Sequence, residues 1–298
     1  MDRTQYKRIA AFSLVEAMIV VALLLIMAAI IFPAFRAAKA QAHATVCLSQ
    51  FHQVTMAGSI YTTDYDDQFM VARYRADESA TSETDRTWVQ NVLPYSRNFD
   101  LFHCPSDYSR DRDYSSRYNE DVIPGGTTER FYEDSKRVNT GYNYLYLSPL
   151  MRDPGDRMNS RSRSVSEIGY PADTILFGDS AHHITENGAP RGGGSYLILP
   201  PCRFASTGGD SLVDTFAMPG VGSDKIFQGG LYWSAPLATD PPSNSGGLYP
   251  WHENHLTVAF ADSHVKRITL EAATSGCHVE EGWQGHIFDR EQYLWDRQ

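Results

Sequence analysis

Cysteine is scarce in this chain. Four occur in 298 residues, at 47, 104, 202 and 277, and no two stand in a Cys-x-x-Cys pair. The paired Cys/Cys or Cys/His spacing that announces a zinc site is therefore missing. Positive charge is also short, with 26 Lys and Arg against 36 Asp and Glu and a formal net charge of −10. No basic stripe is present to neutralise phosphates, which argues against a general nucleic-acid binder. Internal repeats are absent. Charge of either sign is scarcest in Phe12–Phe35, FSLVEAMIVVALLLIMAAIIFPAF, which holds one charged residue, Glu16.

That stretch organises the rest. At ~1.5 Å rise per residue it is long enough to cross a bilayer as a helix. The 11 residues before it carry Arg3, Lys7 and Arg8 against Asp2, a net +2 that leaves −12 for the rest. Positive charge on that side keeps the leader in the cytoplasm and exports everything after Phe35. A plain signal anchor and a secretory signal peptide are the bland alternatives, the latter with small-residue sites at Ala38-Lys39-Ala40 and Ala42-His43-Ala44. The apolar run exceeds the usual ~7–15 residues of a signal peptide. Neither alternative accounts for a carboxylate inside it, which insertion scales place at up to roughly 2.5–3.5 kcal/mol at mid-membrane.

A short basic leader, a small residue, then Phe-Ser-Leu-Val-Glu and an apolar run resemble the start of type IV prepilins and type II secretion pseudopilins. The resemblance implies cleavage between Ala11 and Phe12 by a prepilin peptidase, followed by methylation of the new N-terminus. Glu16 and Pro33 then fall where the family has its assembly glutamate and its helix proline. The departure is Ala11, where the family normally has Gly.

Past Pro33 the sequence stays rich in helix formers. Ala44, Cys47, Leu48, Phe51, Val54, Thr55, Gly58 and Tyr61 recur at three- and four-residue steps and mark one face. A single helix is expected from Phe12 to about Thr62, with 12–35 in the membrane or filament core and 36–62 amphipathic. Residues 63–298 form the extracytoplasmic head. Within it, Thr87–Tyr95 reads as a short helix or packed turn. Tyr142–Leu147, Thr174–Phe177 and Tyr196–Leu199 read as strands. Cys202–Pro250, dense in Gly, Pro and Ser, reads as long surface loops. His255–Leu270 has the form of a β-hairpin around Ala261-Asp262-Ser263-His264, and the tail from Cys277 packs back on the head. The fold class is α+β, a long helix laid on an antiparallel sheet.

A second resemblance runs through the head. One bacterial subgroup of pilin-like proteins closes with His, nine residues and Asp-Gly, after Cys-Leu-Ser, Cys-Pro-Ser-Asp, Gly-Tyr-x-Asn and Asp-Ser tags. This chain has Cys47-Leu48-Ser49, Cys104-Pro105-Ser106-Asp107, Gly141-Tyr142-Asn143, Asp179-Ser180, and His252 before Asp262-Ser263. Ser263 stands in place of Gly, where a positive-φ turn residue is more costly. The implied function is a structural, non-enzymatic filament subunit held in the bacterial inner membrane as a single-pass precursor. Its partners would be other filament subunits and the peptidase, with no nucleic acid.

Four cysteines after a membrane-targeting segment read as disulfides in an oxidising compartment. Of three possible connectivities, Cys47–Cys104 with Cys202–Cys277 ranks first. His252 and Asp262 are expected to brace the hairpin by a hydrogen bond. The weaker alternative is a metal held by Asp179, His182, His183, His252, Asp262 and His264, with Ca²⁺ suiting the oxygens and transition metals the imidazoles; otherwise no cofactor is expected. Leu176-Phe177-Gly178-Asp179-Ser180 resembles the nucleophile block of the Gly-Asp-Ser-Leu esterases, with Ser180 attacking and Asp262 and His264 as partners. It departs in Ala181, in its late position and in the Asp–His spacing. A membrane-tethered hydrolase or ligand binder is accordingly the alternative function.

Overall fold

The computed structural model describes residues 13–74, 86–109, 134–152, 158–160, 162–184, 188–202, 204–206, 212–214, 246–280 and 285–295. The chain divides into two compact units, Met1–Ala42 and His43–Gln298. Ala11, Phe12 and the leader lie outside the described residues, as does most of Cys202–Pro250.

Helix α1 runs over Leu14–Asp64 without interruption and contains Pro33. Fifty-one residues make it about 76 Å long. Ser13 donates its backbone N–H to the Glu16 carboxylate at 2.9 Å, which satisfies one of the donors that open a helix. In the first unit every side chain from Ser13 to Lys39 is exposed. The second unit holds the part of α1 that buries Ala44, Cys47, Phe51, Val54, Thr55, Ala57, Gly58 and Tyr61. That is the face expected from spacing, except that Leu48 is half-buried and Ala57 joins.

The sheet beneath that face has strands β1 (Thr140–Asn143), β2 (Ile175–Asp179), β3 (Leu197–Ile198), β4 (His255–Phe260) and β5 (Val265–Thr269), in spatial order β5-β4-β2-β1-β3. Three pairings are antiparallel, and β3 joins β1 in parallel. The sheet is thus mixed, a correction to the expected antiparallel one. Tyr142–Leu147 also divides differently from the single strand read in the sequence. The strand ends at Asn143, and Tyr144–Leu147 forms one helical turn, α3. Every residue from Thr140 to Pro149 is buried, so no in/out alternation exists there to reveal the change.

Helix α2 (Trp88–Ser96) is the short helix expected near Thr87–Tyr95. Thr87 opens it by donating its N–H to Gln90 Oε1 at 2.8 Å, half of a capping box. Trp88 stacks on Phe177 of β2 at 4.7 Å, meets Phe102 and Tyr142 edge-on or tilted, and donates its indole N–H to Tyr196 O at 2.6 Å. This buried indole is the centre of the core, with its one polar atom satisfied.

The β4–β5 turn places Ser263 at φ +75°, and its hydroxyl meets Ser59 Oγ of α1 at 2.7 Å. The side chain that makes this backbone costly thus gains a partner on the helix. Near the end, Leu212–Asp214, Phe204–Ser206, His286–Ile287 and Cys277–His278 form a second small sheet. A Cys202–Cys277 disulfide, with Cα atoms 5.9 Å apart, staples it. The tail packs back as expected: Trp295 donates its indole N–H to Ala273 O at 2.9 Å, and Leu294 O accepts from Ile175 of β2.

Candidate functional site

Four polar side chains from four distant segments converge where α1 crosses the sheet. Cys47 comes from α1, and Cys104 follows the 3₁₀ turn Phe99–Phe102. Asp179 closes β2, and His252 stands in the turn before β4. One donor atom from each lies within 4.8 Å of the others, and among the described residues this is the one such convergence of His, Cys, Asp or Glu. Exposures of 1%, 6%, 0% and 3% for Cys47, Cys104, Asp179 and His252 close the group to solvent.

Cys47 Sγ lies 3.5 Å from Asp179 Oδ1, Cys104 Sγ lies 3.4 Å from His252 Nε2, and His252 Nε2 lies 4.0 Å from Asp179 Oδ2. A set of supporting groups fixes these positions. Thr257 donates its backbone N–H to Asp179 Oδ2 at 2.7 Å and its hydroxyl to Cys47 Sγ at 3.5 Å. Ser106 Oγ sits 3.3 Å from His252 Nδ1, which leaves Nε2 facing the cluster. Asn139 Oδ1 accepts from the Cys104 N–H at 2.9 Å. The Arg267 guanidinium donates to His252 O at 3.4 Å. None of Thr257, Ser106, Asn139 and Arg267 was among the residues singled out by sequence for this purpose.

Burial dominates the electrostatics. It pushes the Asp179 carboxyl up to about 7, against the downward pull of the Thr257 donors, Cys47 and Arg267. It lowers His252 to about 4, with Arg267 and His43 adding cationic repulsion. The Cys47 thiol is raised, first by its hydrogen bond with Cys104, then by burial and by the Asp179 charge.

The expected Cys47–Cys104 disulfide is not formed: both thiols are buried and free, side by side with a carboxylate and an imidazole. The His252–Asp262 brace is also absent. His252 sits at the base of the hairpin, exchanging backbone hydrogen bonds with His255, whereas Asp262 sits at the tip. There Asp262 Oδ1 pairs with His264 Nδ1 at 2.6 Å, in an exposed contact, and the imidazole stacks on Phe260 at 4.2 Å. Of the metal candidates, then, Asp179 and His252 meet, while Asp262 and His264 form a separate surface pair. His182 donates its backbone N–H to Gly193 O and lies outside the cluster.

The suggested Ser180, Asp262 and His264 triad is not assembled. Ser180 is fully buried, its Oγ 2.7 Å from Ser195 O and 2.9 Å from Asn139 O, and it accepts from the Ser195 N–H at 3.1 Å. It ties the segment before β3 to the end of β2. Glu16 and Pro33 lie in the exposed apolar part of α1.

No family model, no curated protein and no solved structure matches this chain.

Proposed function

We propose that this protein is a membrane-held structural subunit of a type IV pilus-like or type II secretion filament, assembled by packing of its N-terminal helices. The observation that carries the reading is α1, long and apolar enough to cross a membrane and with no buried residue in its most apolar window. Large side chains there, such as Leu14, Ile30 and Phe32 at 78%, 70% and 69% exposure, need lipid or neighbouring helices to cover them. The same helix supplies one face of the head core through Phe51, Val54 and Tyr61.

Glu16 separates a filament helix from a plain anchor. Peptidase cleavage at Phe12 creates an amine with a reference pKa near ~7.7–8, largely cationic at neutral pH. A Glu16 carboxylate from a neighbouring subunit satisfies that charge where lipid would leave both unpaired. Glu16→Ala should therefore insert and be processed yet fail to enter filaments, measured as chain recovered in sheared cell fractions. Normal filament yield from this variant refutes the pairing. Absence of the unaltered chain from that fraction, with its full amount in the membrane, refutes the filament reading.

A further inference from the structure

We propose that Cys47, Cys104, Asp179 and His252 are the ligands of a closed, structural zinc site that clamps α1 to the sheet of the head. The inference stands on the geometry of the head and does not rest on the filament reading.

Distance is the first argument. Tetrahedral zinc has Zn–S bonds of ~2.3 Å and Zn–N or Zn–O bonds of ~2.0–2.2 Å, which sets ligand atoms about 3.3–3.8 Å from one another. The sulfur contacts of 3.5 Å for Cys47 Sγ–Asp179 Oδ1 and 3.4 Å for Cys104 Sγ–His252 Nε2 fall in that range, whereas His252 Nε2–Asp179 Oδ2 is 4.0 Å and all four donor atoms lie within 4.8 Å of one another, so the cluster contracts slightly on taking the ion.

Donor chemistry is the second. Two sulfurs, one imidazole nitrogen and one carboxylate oxygen match zinc, whereas Ca²⁺ and Mg²⁺ take oxygen ligands in larger number. Four protein ligands at low exposure leave no open position for water, which is the mark of a structural rather than a catalytic centre.

The surroundings are the third. A ligating imidazole has its second nitrogen held by a partner, and Ser106 Oγ does this for His252 Nδ1. The Asp179 carboxylate is fixed through one oxygen by Thr257 N–H. Two thiolates and a carboxylate around Zn²⁺ leave one negative charge, and the Arg267 guanidinium at the His252 carbonyl brings one positive charge against it. The ligands are far apart in sequence, 132 residues for Cys47 and Asp179 and 148 for Cys104 and His252. One ion would thus pin the helix, the loop after α2, the central strand and the base of the hairpin at a single point.

The test uses the full chain, extracted in detergent from its native membrane without chelator, with metals measured by plasma mass spectrometry and thiols by alkylation mapping. About one zinc per chain is expected, with Cys47 and Cys104 unlinked. Exchange to Co²⁺ should give thiolate-to-cobalt charge-transfer bands together with the intense visible bands of a tetrahedral ion. Asp179→Asn and Cys47→Ser should lower zinc occupancy at least tenfold, whereas His264→Gln, altering the surface pair, should retain it. Should the ligand variants fail to fold, the cobalt spectrum of the unaltered chain decides the matter. A Cys47–Cys104 disulfide, a chain without zinc, a different metal at full occupancy, or cobalt bands lacking thiolate charge transfer would each overturn the proposal.

Discussion

Helix α1 holds two stretches of opposite circumstance. From Leu14 to Phe35 the apolar side chains point outward on every side, and none is buried. From Ala44 to Tyr61 one face carries the buried side chains, while Val46, Met56 and Ile60 on the other faces stay exposed. What separates the two is the pattern of apolar residues, continuous in one stretch and at three- and four-residue steps in the other. A helix apolar all round asks for an apolar surrounding. A helix with one apolar stripe asks for one partner surface, which the β2 and β4 strands supply through Phe177, Thr257 and Asp179.

The same substitution on the two stretches should therefore read out differently. Phe51 is 2% exposed and Phe32 69% exposed. Phe51→Ala should cost the head about 3–5 kcal/mol in denaturant unfolding followed by tryptophan fluorescence, because it removes a ring from a packed core. A cost near zero would mean that the helix face does not belong to the core. Next in size is the Cys202–Cys277 staple. Replacing Cys202 and Cys277 together by Ser should cost about 2–4 kcal/mol, given the 75 residues the bridge closes. It should leave the Cys47 cluster and its metal content unchanged, so loss of metal in that variant would join what the fold keeps apart.

Smaller effects sharpen the contact between α1 and the hairpin. Ser59→Ala should cost about 1 kcal/mol through the lost hydroxyl contact with Ser263. Ser263→Gly loses the same contact but relieves a positive φ, so its net effect should be smaller than that of Ser59→Ala. An equal or larger loss from Ser263→Gly would show that the turn is not strained. Smallest of all, Phe32→Ala should change head stability by less than about 0.5 kcal/mol, since it touches nothing buried.

The helix was legible because its period repeats over many turns, and Cys47, Phe51, Val54 and Tyr61 announce one face without help from any other segment. The hairpin was legible for the same local reason, and its turn falls at Asp262-Ser263 as read. Strand β1 was misread because complete burial erases the alternation that distinguishes strand from helical turn. Strand β3 is legible within Tyr196–Leu199, but its parallel pairing is not, since its partner on β1 lies over 50 positions earlier.

The buried cluster is the instructive case. No two of its ligands are near enough in sequence to form a spacing motif, so a search for Cys/His pairs passes over it. Yet Cys47, Cys104, Asp179 and His252 each sit in a short tag that carries another meaning on its own. Taken one at a time those tags suggested a disulfide, a nucleophile block and a hairpin brace. Only the fold brings them to one point and shows Asp262, at the far tip of the hairpin, to be elsewhere.

The reading of α1 as a filament helix meets its most direct test at its beginning. Intact-mass and N-terminal analysis of the chain recovered from sheared filaments should give a polypeptide starting at Phe12 and carrying one N-methyl group. A chain confined to the membrane and retaining residues 1–11, or one released with a start near residue 41, would contradict it.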